Sequence, residues 1–165
     1  MRFTAAALVA LSAVSGAFAW TATATYSTAY DVGNESLVGV ACSNGDNGLM
    51  GKGLSSLSSP LSPTNRLTLP FYTGYTTFDS LPAFPYIGGA HVIEGWNSKN
   101  CGACFQLGYK NKTIIFQAVD SSPGNGFNLA KRAMNDLTNG EGVTAGSVQI
   151  TYEQVDDKLC YDPSD

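Results

Sequence analysis

The chain has 165 residues, nine of them basic and thirteen acidic, for a net charge of −4. No basic stripe is present, which excludes a protein that works by neutralising nucleic-acid phosphates and favours a neutral or cationic partner. Only 13% of the residues are charged, and the abundance of Gly, Ser, Thr and Asn favours turns and strands over long helices.

The chain opens on a secretion signal. Met1-Arg2 is a short basic start, Ala5 to Val14 is apolar, and Ala17-Phe18-Ala19 offers small residues for cleavage. Residues 1–19 are therefore expected to be removed. The apolar run is too short to span a bilayer comfortably, and no later run is long enough. The remaining 20–165 suit one extracellular domain with a modest core. Without Arg2 it carries eight basic and thirteen acidic residues, a net of −5.

Ala22 to Tyr30 alternates Thr with small residues and predicts a first strand. Asp31-Val32-Gly33-Asn34 is a turn, and Leu37 to Cys42 predicts a second short strand. Ser43 to Gly48 is a polar loop. Gly51 to Thr77, rich in Ser and Pro, reads as a long loop, part of an insertion over about 51–80. Leu81 to Gly89 holds two prolines and two glycines and is expected to be irregular. Strands are predicted at Ala103 to Tyr109 and Thr113 to Val119, joined by a hairpin-like turn at Lys110-Asn111-Lys112. One helix follows, with Asn128 as N-cap, Leu129, Ala130, Ala133, Met134 and Leu137 at helical spacing, and Asn139-Gly140 as its stop. Ser147 to Val155 closes the chain as a strand, with Val148, Ile150 and Tyr152 on one face. Many short strands, one helix and no βαβ rhythm predict a small β-barrel.

Four cysteines, Cys42, Cys101, Cys104 and Cys160, predict two disulfides in an oxidising compartment. Three connectivities are open. The favoured one joins Cys42 to Cys101 and Cys104 to Cys160, which ties the early and late chain to one central strand. Zinc has no support, because the spacing offers no second CxxC and no HxxxH. No cofactor is expected. The sequons at Asn34 and Asn111 lie near predicted turns and are accessible acceptors for N-glycosylation.

Asp120 ends an apolar strand and precedes Ser121-Ser122-Pro123-Gly124, a position that faces a groove. The alternative is a turn carboxylate that accepts backbone N–H groups. Glycoside hydrolysis needs a second carboxylate. Asp31, Asp46 and Asp79 are candidates without a local motif. His91 is the one histidine, and no Gly-x-Ser-x-Gly elbow accompanies it, so it reads as a surface or hydrogen-bonded residue. Sugar binding asks for less. Tyr26, Tyr30 and Trp96 offer aromatic faces, and Asp31, Asn44, Asp120 and Asn128 offer polar groups. Core packing is the alternative for each aromatic.

The ordered set Tyr26-Ser27-Thr28-Ala29-Tyr30-Asp31, Val40-Ala41-Cys42-Ser43-Asn44-Gly45, Phe84-Pro85-Tyr86-Ile87-Gly88-Gly89, Gly95-Trp96-Asn97-Ser98, Cys101-Gly102-Ala103-Cys104, Val119-Asp120-Ser121, Gly126-Phe127-Asn128 and Gln154-Val155-Asp156 resembles the cerato-platanins, small secreted fungal proteins. The resemblance implies a mainly β fold with short helices. The expected form is a six-stranded double-ψ β-barrel, related to expansin domain 1 and to barwin, stapled by the two disulfides favoured above. It implies a monomer that binds chitin or N-acetylglucosamine oligomers in a shallow groove and loosens cell-wall polysaccharide without hydrolysis. Sensing by host immune receptors, as elicitor or allergen, is part of the same expectation. Asp120 then matches the key aspartate of the expansin domain, and Tyr26, Tyr30, Asp31, Ser43, Asn44, Gly45, Trp96, Ser121 and Asn128 complete the expected carbohydrate site. Two departures stand out. Ser27 replaces a frequent Asp, and the expansin His-Phe-Asp signature is absent, since Ala118-Val119 precede Asp120. An endoglucanase-like hydrolase using Asp120 and a surface-active wall protein are the competing expectations.

Overall fold

The computed structural model describes residues 19–52 and 74–161. All of the expected signal segment but Ala19 therefore lies outside the described residues. So does most of the insertion, including Phe71 and Tyr72.

Six strands close into a double-ψ β-barrel in the order β1-β5-β2-β4-β3-β6. They are β1 (Trp20–Ser27), β2 (Ile87–Ala90), β3 (Cys104–Tyr109), β4 (Lys112–Ser121), β5 (Gly126–Ala130) and β6 (Ser147–Val155). Two neighbouring pairs, β1–β5 and β2–β4, are parallel, and the others are antiparallel. Among the described residues four short α-helices decorate the barrel: α1 (Leu49–Lys52), α2 (Lys131–Thr138), α3 (Glu141–Ala145) and α4 (Lys158–Tyr161). None is long and apolar enough to cross a membrane.

Strand alternation builds the core. Ala22 and Ala24 point inward from β1 while Thr21, Thr23 and Thr25 face solvent. Those small residues leave room for large ones opposite, as a narrow barrel requires. Phe127 lies edge-on to Phe105, Phe116 and Tyr152, at centroid distances of 5.3, 5.7 and 5.1 Å. Edge-to-face rings at such spacing add attraction beyond their buried area. Both disulfides match the favoured pairing, Cys42–Cys101 and Cys104–Cys160.

The sequence expectations are corrected in four places. First, β1 ends at Ser27, because the Ser27 hydroxyl accepts the Ala29 N–H and starts a 3₁₀ turn over Thr28–Asp31. Second, Leu37–Gly39 is another 3₁₀ turn, capped by Ser36, and not a strand. Third, the glycines expected to break Leu81 to Gly89 instead form part of β2. A Cβ on Gly88 would stand 2.1 Å from the Asn128 carbonyl oxygen, so only glycine lets β2 approach β5 this closely. Fourth, Asn128 is not a helix cap but lies within β5. Leu129 and Ala130 are fully buried strand residues, and a segment buried on both faces mimics a helical pattern. The helix begins only at Lys131. It ends as expected at Asn139, whose φ of 52° is left-handed. Helices α1, α3 and α4 carry no periodic signal, being four or five residues long.

Candidate carbohydrate-binding site

The β2–β4 register shifts between Gly88 and Gly89, so that Asp120 falls opposite Gly89 at the mouth of the barrel. Such a bulge re-aims a side chain. The Asp120 carboxylate receives three hydrogen bonds. Its Oδ1 accepts the Ala41 N–H at 3.0 Å and the Ser121 N–H at 2.8 Å, and its Oδ2 accepts the Tyr30 hydroxyl at 3.1 Å. Burial first, then the Asp120 charge and hydrogen bond, push the Tyr30 phenol far above its usual range. Tyr30 also packs against Phe78, with ring centroids 5.9 Å apart.

An open cavity of about 300 Å³ lies over this pair, with Tyr30, Val32, Glu35, Val40, Phe78 and Asp120 among its walls. Glu35 is the second carboxylate on it, and the sequence reading missed that role. The residue drew notice only as the middle of the Asn34 sequon. Its placement depends on a turn that brings the Glu35 carbonyl to the Phe78 N–H, a long-range contact without local pattern.

Ala41 links this cavity to a second feature. Its N–H serves Asp120, and its carbonyl accepts the Asn97 N–H at 3.3 Å. Asn97, at φ 61°, accepts the Asn47 N–H through Oδ1 at 2.9 Å and receives the Asn47 side-chain amide on its carbonyl at 2.9 Å. Gly45, at φ 94°, leaves the space that Asn97 fills, since a Cβ there would lie 2.6 Å from Asn97 Oδ1. The two interlocked loops raise Trp96, which is 65% exposed and donates its Nε1–H to Asn44 Oδ1 at 2.7 Å. The Cys42–Cys101 bridge joins the segment that carries Ala41 to the segment that carries Trp96.

The expected site residues therefore separate. Tyr30, Asp120, Ser121, Asn44 and Trp96 come together through Ala41. Ser43 is buried beside them. Tyr26 is half-buried and donates to the Val143 carbonyl, away from the cavity. Asp31 accepts the Arg132 N–H at 3.1 Å and pairs with its Nε at 3.5 Å. Asn128 accepts the Thr25 hydroxyl at 3.3 Å and is separated from Asp120 by β2, about 10 Å across. Asp46 and Asp79 are exposed and line no part of this cavity. His91 packs on Phe127 and Tyr152, with Nε2 3.4 Å from the Tyr152 hydroxyl. Asn34 and Asn111 are exposed.

Comparison with known proteins points one way. A family model described as Cerato-platanin matches residues 58–161. A heat-stable 19 kDa antigen of Coccidioides posadasii is 40% identical over 140 residues, covering 85% of this chain and 81% of the relative. An allergen of Aspergillus fumigatus is 43% identical over 135 residues, covering 82% and 74%. Among solved structures, cerato-platanin 1 from M. perniciosa has a TM-score of 0.67 at 38% identity, covering 84% of this chain and 98% of that one. The fungal elicitor cerato-platanin has a TM-score of 0.65 at 32% identity, covering 87% and 99%. The chain belongs to the cerato-platanin family.

Proposed function

We propose that this is a secreted, non-hydrolytic carbohydrate-binding protein. Its ligand is chitin or N-acetylglucosamine oligomers, and its action is expansin-like loosening of wall polysaccharide. The observation that carries the reading is the pairing of an exposed indole, Trp96, with a cavity that holds Asp120; Asp120 and Asn97, the neighbour of Trp96, are both bonded to Ala41. A pyranose face stacks on such an indole, while its hydroxyls meet carboxylate and amide groups. Asp120 acts here as an acceptor, since both of its oxygens already hold hydrogen bonds. The antigen, allergen and elicitor names of the relatives support a role in recognition by a host.

The test is an NMR titration with the N-acetylglucosamine tetramer. Saturable shifts are expected at the Trp96 Nε1–H and at the Ala41, Asp120 and Ser121 amides. Their absence sinks the reading. Glu35 gives a specific reason to keep a hydrolase in view, because two carboxylates on one cavity are the minimum for glycoside hydrolysis. Release of reducing ends that disappears in both E35Q and D120N would establish that alternative.

A further inference from the structure

The charge inventory of the cavity over Asp120 is one-sided. Asp120 and Glu35 are on its walls, and among the described residues no Lys, Arg or His is. Other concave surfaces differ. The Trp96 loop sets Lys99 beside Glu94, and the β3–β4 hairpin sets Lys110 and Lys112 against Glu141. All three donors to Asp120 are neutral, so its charge is hydrogen-bonded but not balanced. Neither Asp120 nor Glu35 joins an ion pair among the described residues. Arg132 pairs with Asp31, the residue after Tyr30, and its guanidinium lies 5.0 Å over the Phe84 ring, so it is directed elsewhere.

The geometry points to a cationic amino sugar as the occupant of this cavity: a glucosamine unit of partly deacetylated chitin, its ammonium set between Asp120 and Glu35. The inference rests on the glycan-binding reading above and names the kind of residue that reading leaves open. A neutral N-acetylglucosamine ring placed here strips water from two unbalanced carboxylates and returns no charge to them. A glucosamine ring meets the same desolvation with a compensating ammonium, a donor of three hydrogen bonds. The apolar walls, Val32 and Val40, take the ring's carbon face. At this subsite an uncompensated charge acts against an N-acetylated unit as much as it favours a deacetylated one.

The experiment compares the fully acetylated tetramer with the fully deacetylated glucosamine tetramer in mildly acidic, low-salt buffer, by calorimetry and by NMR. Tetralysine serves as a control for simple charge attraction. The glucosamine tetramer is expected to bind about tenfold more tightly, a margin in keeping with partly exposed charge pairs. Roughly 0.5 M salt should erase most of that margin. In E35Q the preference for the glucosamine tetramer should fall to about threefold. Equal affinity for the two tetramers, or a preference that survives both E35Q and salt, overturns the inference and leaves the glycan-binding reading intact. Tetralysine shifting the same amides with equal affinity overturns it as well. Binding of neither tetramer removes both.

Discussion

Replacing Asp31 by Ala separates two roles that the sequence could not. Helix α2 starts badly on its own. Ala130 stands at the N-cap without a side-chain acceptor, the first turn holds no acidic residue, and Lys131 and Arg132 bring positive charge to the positive end of the helix dipole. The Asp31 carboxylate corrects this from a distance by accepting the Arg132 N–H at 3.1 Å, the bond a local cap would make. Losing such a cap costs about 1 kcal/mol. The ion pair to Arg132 Nε, at 3.5 Å with an Arg side chain 54% exposed, adds about 0.5 kcal/mol or less. Asp31→Ala should therefore lower stability by about 1.5 kcal/mol, or about 3–6 °C in midpoint for a domain of this size. Asp31→Asn keeps an acceptor and should lose only about 0.5 kcal/mol. Urea denaturation with the disulfides intact measures both. If Asp31→Ala unfolds like the parent chain but loses tenfold in glycan affinity, then Asp31 is a ligand contact and the capping argument is wrong.

Three further outcomes are expected. Tyr161, pushed up to about 12 by burial and then by Tyr75 and Asp157, and Tyr30, held higher still, both keep their protons in the folded chain at a pH where unfolded tyrosines ionise, near 10.0. Because the folded pKa values are the raised ones, stability is level below pH 10.0 and falls as pH rises beyond it, and Tyr30→Phe should flatten that fall in pH-dependent melting. Trp96→Ala should leave urea stability within about 0.5 kcal/mol of the parent, since the ring is mostly exposed, yet cost about tenfold in oligomer affinity by calorimetry. Serine in place of both cysteines of either bridge should cost about 4 kcal/mol, because the closed loops are alike at 59 and 56 residues. Only loss of Cys42–Cys101 should also broaden the Trp96 indole signal, because that bridge alone joins the two loops of the site.

Much of the barrel was legible where period and burial agree. Strand β6 follows alternation, the hairpin β3–β4 is marked by the turn at Lys110-Asn111 between two apolar runs, and the favoured cysteine pairing is the one that forms. Legibility failed where a side chain overrides a pattern or where contacts are distant. The Ser27 hydroxyl ends β1 three residues before the pattern does. Gly88 and Gly89 look like breakers, yet close strand approach demands them. Asn128 looks like a cap, yet lies in a strand buried among its neighbours. In the site, Asp120 was readable from its place at a strand end. Glu35 and Ala41 were not, since one has only a sequon around it and the other contributes only its backbone.

The site joins the end of strand β4, which carries Asp120 and Ser121, to loops held against the barrel, and this determines which substitutions report on binding. Asp120 anchors the turn that carries Tyr30 and the segment that carries Ala41, besides facing the cavity. An alanine there removes the ligand group and the anchor at once. An asparagine keeps the shape but offers one oxygen and one N–H₂ where the site supplies only donors. If Oδ1 stays with the two backbone N–H groups, the amide nitrogen faces the Tyr30 hydroxyl, which must then turn to accept. Loss of binding in either variant thus mixes recognition with loop disorder. Glu35 and Trp96 carry no such double duty. The Glu35 side chain has no hydrogen-bond or ion-pair partner among the described residues, and Trp96 makes a single bond to Asn44. Changes at those two positions that alter affinity without altering stability therefore speak for ligand contact directly, and they are the positions from which the specificity of the cavity is best read.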